Sequence, residues 1–321
     1  MFWLFIFIIS CLVLFWAGSR LVGALARIAR YLGWREFVVA FFIMAFASSA
    51  PNLFVGINSA IHKIPELSFG EIVGGNLVDL TLAVGLAVLL GGAALQVKSK
   101  MVQTSTIFTT IIVILPQLLI LDHHLGRIDG LILLLAFFVY IFWLFSKEER
   151  FKKTYNGDKS FLRPKQIWPF RVFLKDLAKT ITTLILLLLA SWLVVKSAQL
   201  FSEALNITLS LVGILIVGVG NALPETYFAI ASARKGQTLM ILGDLMGSVI
   251  VCVTLVLGIV ALICPIEITD FSPFAIARIF LIIAAVFFLV AVRTDRKITK
   301  KEALFLLLIY ISFVATILIF Y

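Results

Sequence analysis

The chain has 321 residues, 62% of them hydrophobic and 14% charged, with a mean hydropathy of +1.13. Soluble domains are roughly 45–50% apolar and about 25% charged, so this composition excludes a water-soluble fold and points to a bilayer as the solvent. The net charge of +10 is spread over loops between apolar runs, which is the pattern of topology signals and excludes a nucleic-acid surface. Cys11, Cys252 and Cys264 form no spaced pair, and the three histidines give no HExxH pattern, so neither a disulfide framework nor a zinc site is predicted.

A spanning helix needs about 20 mostly apolar residues. That ruler predicts ten segments, at roughly 2–24, 37–60, 70–92, 103–121, 128–146, 176–200, 208–233, 238–264, 274–293 and 303–320. The opening MFWLFIFIISCLVLFW has no basic leader or small-residue cleavage site and reads as the first spanning helix. The runs do not alternate polar with apolar, so barrel strands are excluded. Basic residues crowd alternate loops: Arg27, Arg30 and Arg35; Lys98 and Lys100; the stretch 147–175; Arg234 and Lys235; and Arg293 to Lys301. The positive-inside rule then places both termini outside and the long basic loop in the cytoplasm, in a multi-pass protein of the cell (inner) membrane.

That loop, 151–172, carries Asn156-Gly157-Asp158, Pro164 and Pro169 and separates two groups of five helices, 1–150 and 173–321. An odd number per group inverts the second relative to the first. The predicted fold class is all-α integral membrane, with ten transmembrane helices in two inverted five-helix repeats. The repeat is visible at an offset of 173: Pro51 meets Pro224, Ser59-Ala60 meets Ser232-Ala233, Gly70 meets Gly243, Gly74 meets Gly247, Thr81-Leu82 meets Thr254-Leu255 and Gly85 meets Gly258. Chance apolar similarity aligns Leu with Leu, not Pro, Gly and Ser in register.

Two kinds of motif carry the chemistry. Ala47-Ser48-Ser49-Ala50-Pro51-Asn52 and Gly220-Asn221-Ala222-Leu223-Pro224-Glu225 place small polar residues beside a proline deep in an apolar run. Proline frees backbone carbonyls, which can face a cavity and hold a cation. A plain kink is the alternative for one such motif, and two in register with a carboxylate favour a site. Gly70-Glu71 through Asp79, and Gly243-Asp244 through Cys252, form the second pair. Glycines at spacing four allow close helix approach, which does not explain the acids. A carboxylate near the bilayer centre costs about 2.5–3.5 kcal/mol on the gentlest scale. Asp79 and Glu225 lie well inside their segments, Asp244 about two turns in, and Glu71 near an end where water can reach it. Glu71 and Asp79, eight apart, share a helix face, as do Asp244 and Cys252. Hydroxyls, amides, carbonyls and carboxylates make a hard-oxygen site suited to Na+, Ca2+ or H+. Cys252 reads as a small packing residue.

These motifs resemble the α-repeats of the sodium/calcium exchanger family, G-T-S-x-P-E followed by G-N-x-x-G-S-N-x-x-N, and the resemblance covers essentially the whole chain. It implies an antiporter in which helices 1 and 6 slide past the other eight. By position it implies ion ligands at Ser48, Ser49, Asn52, Gly75, Asn76 and Asp79, and at Asn221, Ala222, Glu225, Ser248, Val249 and Cys252. The departures are Asn52 in place of a Glu, Gly75 in place of a serine, Val249 and Cys252 in place of polar residues, and Glu71 and Asp244 where the family has Asn. Gly220-Asn221-Ala222 is similar to the proton/calcium branch.

The expected function is secondary active exchange of Ca2+ against Na+ by alternating access, without cofactor and not as an enzyme. The metal-site residues are Asn52, Asp79, Glu225, Ser48, Ser49, Asn76, Asn221, Ser248, Glu71 and Asp244. Partners are the transported cations and the lipid bilayer, with a monomer as the expected unit. The alternatives are an H+-coupled or monovalent cation exchanger, since a carboxyl in an apolar medium can carry a proton, and a transport-inactive member. An intramembrane enzyme is disfavoured because no GxGD, HExxH or GxSxG context is present.

Overall fold

The computed structural model describes residues 2–31, 44–92, 94–97, 100–146, 170–268, 272–294 and 296–320. Most of the predicted basic loop 151–172 and the start of the segment at 37–60 lie outside these residues. The first helices are α1 (Phe2–Tyr31), α2 (Met44–Ser48), α3 (Ala50–Ile61), α4 (Pro65–Val78), α5 (Val84–Gly91), α6 (Lys100–Leu119) and α7 (Arg127–Ser146). There follow α8 (Phe170–Leu205), α9 (Leu209–Val212), α10 (Gly218–Arg234), α11 (Thr238–Ile250), α12 (Leu257–Ile263), α13 (Ser272–Thr294) and α14 (Lys300–Phe320). Wide π-helical turns at Asp79–Ala83, Gly213–Val217 and Val251–Val256 join α4 to α5, α9 to α10 and α11 to α12.

Among the described residues, eight stretches are long and apolar enough to cross a membrane: Pro65–Gly91, Val102–Asp122, Arg127–Leu144, Phe173–Leu205, Leu209–Arg234, Met240–Ile263, Pro273–Thr294 and Lys300–Phe320. All eight match predicted segments. The segment at 2–24 is helical within α1, with its apolar stretch at Phe5–Gly18. The described part of the segment at 37–60 is divided into α2 and α3 at Ser49, two residues before Pro51. Large apolar side chains such as Phe142, Trp192 and Leu318 face outward, as they do where the surrounding medium is hydrocarbon.

The offset of 173 recurs in local geometry. Left-handed residues fall at Lys63 and Gly236, and again at His123 and Arg296. The Asp129 carboxylate accepts from the Gly126 amide (2.8 Å) and that of Glu302 from the Thr299 amide (2.7 Å). Gly85 packs on Leu307 and Ala303, while Gly258 packs on Leu134 and Gly130. Strands β1 (Leu95–Gln96), β2 (His124–Leu125), β3 (Ile266–Glu267) and β4 (Lys297–Ile298) pair antiparallel as β1 with β4 and β2 with β3, each pair joining one half to the other.

Two apolar clusters divide the interior. The larger is built from α4 to α7 and α10 to α14. The smaller lies along α1 and α8, with Leu14, Leu21, Leu187 and Val194 among its members, and takes in Ala50 and Val55 of α3 and Leu67 of α4. The α1–α8 pair is tied by a two-point ion pair in which Arg27 Nε reaches Asp176 Oδ2 at 2.9 Å and Nη2 reaches Oδ1 at 2.8 Å, the planar fork geometry that guanidinium favours. Among the described residues, Asn58 Nδ2 of α3 donates to Ser191 Oγ of α8 at 2.6 Å.

The tightest crossing is α4 against Ser210–Gly218. A Cβ on Gly70 would lie 2.6 Å from the Ser210 carbonyl, one on Gly74 would run into the Ile214 carbonyl, and one on Gly213 would lie 2.5 Å from the Leu67 carbonyl. Backbone meets backbone here, so no side chain can yield. Gly74→Ala is expected to destabilise the protein by about 1–3 kcal/mol, the usual cost of overpacking. Gly75→Ala, whose Cβ would sit 3.4 Å from the Gly218 carbonyl, is expected to leave stability nearly unchanged. Thermal unfolding in detergent micelles compares the two.

Candidate functional site

The glycine crossing brings the acidic face of α4 against α10. Glu71 and Asp79 lie eight residues apart, and their partners on α10, Asn221 and Glu225, lie four apart. Asn221 Nδ2 donates to Glu71 Oε1, and the Asp79 and Glu225 carboxyl groups meet in hydrogen-bond contact. The equivalent acidic face of α11 meets the α2–α3 break in the same way. The Ser48 hydroxyl contacts the Asp244 carboxyl, and Asn52 Nδ2 donates to Cys252 Sγ at 3.0 Å. Each contact therefore crosses from one half to the other and recurs at the offset of 173: Glu71 with Asn221 mirrors Asp244 with Ser48, and Asp79 with Glu225 mirrors Cys252 with Asn52.

Serine hydroxyls stitch the centre together. Ser248 Oγ donates to Glu225 Oε1 at 2.6 Å, and Ser49 Oγ donates to Ser248 Oγ at 3.2 Å. Ser48 also contacts Glu225. Asp79, Glu225 and Asp244 lie within electrostatic reach of one another. Glu71 lies apart from these three, towards Cys11 of α1. Glu71 Oε2, Asp79 Oδ1 and Asn76 Nδ2 are buried without a hydrogen-bond partner. No Lys, Arg or His is buried among the described residues. Nor do three His, Cys, Asp or Glu side chains already form a metal cage among them. The site is closed by its own hydrogen bonds, and four buried carboxyls await a positive partner.

Of the predicted residues, Ser48, Ser49, Asn52, Asp79, Glu225, Ser248 and Asp244 come together around this centre. Glu71 with Asn221 forms a flanking pair, and Asn76 is buried on the same helix as Asp79. Two readings change. Glu71 is not at a solvated helix end: α4 begins at Pro65, and the residue is 1% exposed. Cys252 is not surrounded only by apolar neighbours: besides the Asn52 amide, its sulfur has Ser248 Oγ 4.0 Å away and contacts the Ser49 hydroxyl. The signal in the sequence was its place, 173 residues beyond Asp79. The two proline motifs also differ. Pro51 follows a break, whereas α10 runs on through Pro224.

A multi-span helical protein with an acidic centre between two crossed, glycine-lined helix pairs is the architecture of an ion carrier. The model of the sodium/calcium exchanger protein family matches residues 2–146 and 177–319, and the chain belongs to that family, whose members are transporters and not enzymes. It is 25% identical to the inner membrane protein YrbG of Escherichia coli (strain K12), covering 89% of this chain and 87% of that one. It is 23% identical to the sodium/calcium exchanger MaX1 of Methanosarcina acetivorans over 98% of each chain. A solved structure of the sodium-calcium exchanger NCX_Mj superposes with a TM-score of 0.66 at 23% identity, covering 98% of each chain, which shows a shared fold.

Glu71 depends on Asn221 for its one hydrogen bond. Asn221→Ala is expected to lower stability by about 1–3 kcal/mol, the cost of orphaning a buried polar group, with Ser202→Ala on the exposed end of α8 as a milder comparison. The unfolding midpoint of purified protein in detergent measures both.

Proposed function

We propose that this chain is a secondary active antiporter that exchanges Ca2+ against Na+ across the inner membrane by alternating access. The observation that carries the reading is the buried group of Asp79, Glu225 and Asp244 held between α4, α10, α11 and the α2–α3 break, with no Lys, Arg or His buried among the described residues. Asp79 and Glu225 act as the charged ligands. Ser48, Ser49, Asn52, Asn76, Asn221 and Ser248 supply neutral ones, and Glu71 and Asp244 flank the centre. The relatives named as sodium/calcium exchangers support the choice of ions.

The architecture we propose has ten transmembrane helices in two inverted repeats, 1–150 and 173–321, joined by a cytoplasmic loop, with both termini outside and a monomer as the working unit. The repeated offset of 173 in turns, caps and glycine contacts supports it. The separate apolar cluster along α1 and α8 supports a moving pair that slides past a rigid body, because apolar contacts are non-directional and a single hydrogen bond, Asn58 to Ser191, spans the boundary among the polar contacts described above. A second reading, proton-coupled or monovalent exchange, is favoured by the Asp79–Glu225 contact, since two carboxyls hold it only with a proton or a cation between them.

The test is uptake of radiolabelled Ca2+ into proteoliposomes, driven in parallel by an outward Na+ gradient and by a pH gradient. Uptake in the Na+ arm is expected, and Glu225→Gln or Asp79→Asn abolishes it while the protein stays folded. Uptake in the pH arm alone selects the second reading. Full exchange by Glu225→Gln would remove that residue from the site.

A further inference from the structure

The two short β-ladders lie at opposite ends of α6 and repeat one design. β2 and β4 stand 173 residues apart, as do the left-handed residues His123 and Arg296 and the capping acids Asp129 and Glu302. The helix that follows each of these strands presents the same outward apolar lane. Leu131 matches Leu304, Ile132 matches Phe305 and Leu135 matches Leu308, all exposed. The charge beside the lane differs. His123, His124 and Ile128 at the β2–β3 end correspond to Arg296, Lys297 and Lys301 at the β1–β4 end. Asp122 and Glu267 add negative charge to the first end, whereas Lys100, Arg293 and Lys300 add positive charge to the second. Lys297 is half-buried and the other five basic residues of the second end are exposed. Among the described residues the ion pair that forms is Arg27 with Asp176, and Glu302 is taken up by the amide and hydroxyl of Thr299. The six basic groups therefore have no acidic partner among those residues, and Asp295 lies outside them.

Resting on the topology proposed above, which puts this end on the cytoplasmic side, we propose that the β1–β4 turn is a binding surface for an anionic phospholipid. The basic groups take the headgroup phosphate, and Leu304, Phe305 and Leu308 take the upper part of an acyl chain. The turn holds its charge in a fixed place. The Val97 amide donates to the Arg296 carbonyl at 2.6 Å, Gln96 pairs with Lys297 in the ladder, and the Glu302 cap closes the first turn of α14. A topology signal needs only Lys or Arg somewhere near the end of a span, and requires neither a fixed turn nor an adjoining lane. A nucleic acid or an acidic protein would cover the charge and leave the lane bare. A phospholipid covers both with one molecule. Basic clusters just cytoplasmic of a span attract anionic lipid, and guanidinium and ammonium groups bond phosphate oxygens directly. The ladder also joins the two halves of the chain, β1 from one and β4 from the other. A lipid held here anchors in the leaflet the body past which the α1–α8 pair is proposed to slide.

The experiment uses full-length protein in detergent, stripped of lipid, and adds back phosphatidylglycerol or phosphatidylcholine with identical acyl chains. Native mass spectrometry counts the lipid retained, and the unfolding midpoint is followed in parallel. Phosphatidylglycerol is expected to bind the more tightly, and salt at about 1 M is expected to erase most of the difference. The variant Arg296→Gln/Lys297→Gln/Lys301→Gln is expected to weaken phosphatidylglycerol roughly fivefold per charge removed, about 100-fold in all, and to leave phosphatidylcholine unchanged. Lys175→Gln/Lys179→Gln/Lys196→Gln removes the same charge from exposed positions of α8 and is expected to retain nearly all the binding. Equal affinity of the wild type for the two lipids, or an equal loss in the two triple variants, overturns the proposal. Glycerol phosphate carries the headgroup charge without a chain and is expected to compete poorly. Competition as strong as that of the lipid overturns the role of the lane. Detergent has no inside or outside, so these outcomes do not depend on topology. Trypsin cleavage at the basic turn is expected in inverted and not in right-side-out membrane vesicles. The opposite pattern overturns the topology and the choice of leaflet, while the lipid preference still stands or falls on the titration.

Discussion

Four carboxyl groups sit inside an apolar helical body with no buried Lys, Arg or His among the described residues to balance them. Left ionised and alone, they would cost on the order of the entire stability of a domain. They can be retained only if something positive from solution joins them. That constraint links structure to transport. A carrier whose centre must not be sealed while charged is free to close only when loaded, and closure in the loaded state is what couples the movement of one ion to that of another. The same constraint accounts for the hydroxyls around Glu225. Ser248 and Ser48 stabilise a carboxylate without neutralising it, so the attraction for a cation is kept.

The backbone is arranged to put those acids in place. Glycines at 70, 74, 213 and 218 let α4 lie against Ser210–Gly218 at backbone distance, which is what carries Glu71 to Asn221 and Asp79 to Glu225. At Asp79 the helix widens into a π-helical turn, and the same happens at Val251, next to Cys252. A π-turn shifts the register of the side chains beyond it and is a common feature of functional helix segments. Thr81 and Thr254 return their hydroxyls to the carbonyls of Leu77 and Ile250 four residues back, so the widened turns keep their backbone acceptors satisfied where no water can do so.

Much of this was legible in the sequence because it depends on composition and register. Apolar run length located the eight long spans, and the offset of 173 identified positions that share local geometry, from Lys63 and Gly236 to Asp129 and Glu302. The contacts across the molecule were not legible. Nothing in the spacing of Asn52 and Cys252 says that they touch, since they lie in different halves and are brought together only by packing. The burial of Glu71 was missed for a local reason: Ile64-Pro65 starts the helix earlier than hydropathy suggests, because proline suits a first turn and hydropathy does not register it. The polar neighbours of Cys252 are not legible because a thiol carries no charge to flag them.

Pairing across the molecule also has a consequence for how the two halves diverge. When the α1–α8 pair slides past a body built from inverted halves, the molecule alternates between two packings of similar energy, and a perfectly symmetric centre would favour neither. Here one diagonal is carboxyl with carboxyl and the other is amide with thiol. A cation on the charged diagonal is held between the π-turn at Asp79 and α10, while nothing of equal charge holds one between α11 and α3. Binding energy is then unequal in the two packings, and a ligand shifts an equilibrium only by such a difference. Asn52 and Cys252, standing where the other half has two acids, lower the charge to be buried and at the same time supply that inequality, so positions 52 and 252 set how far the two packings differ in affinity, while the ion gradients set the direction of transport.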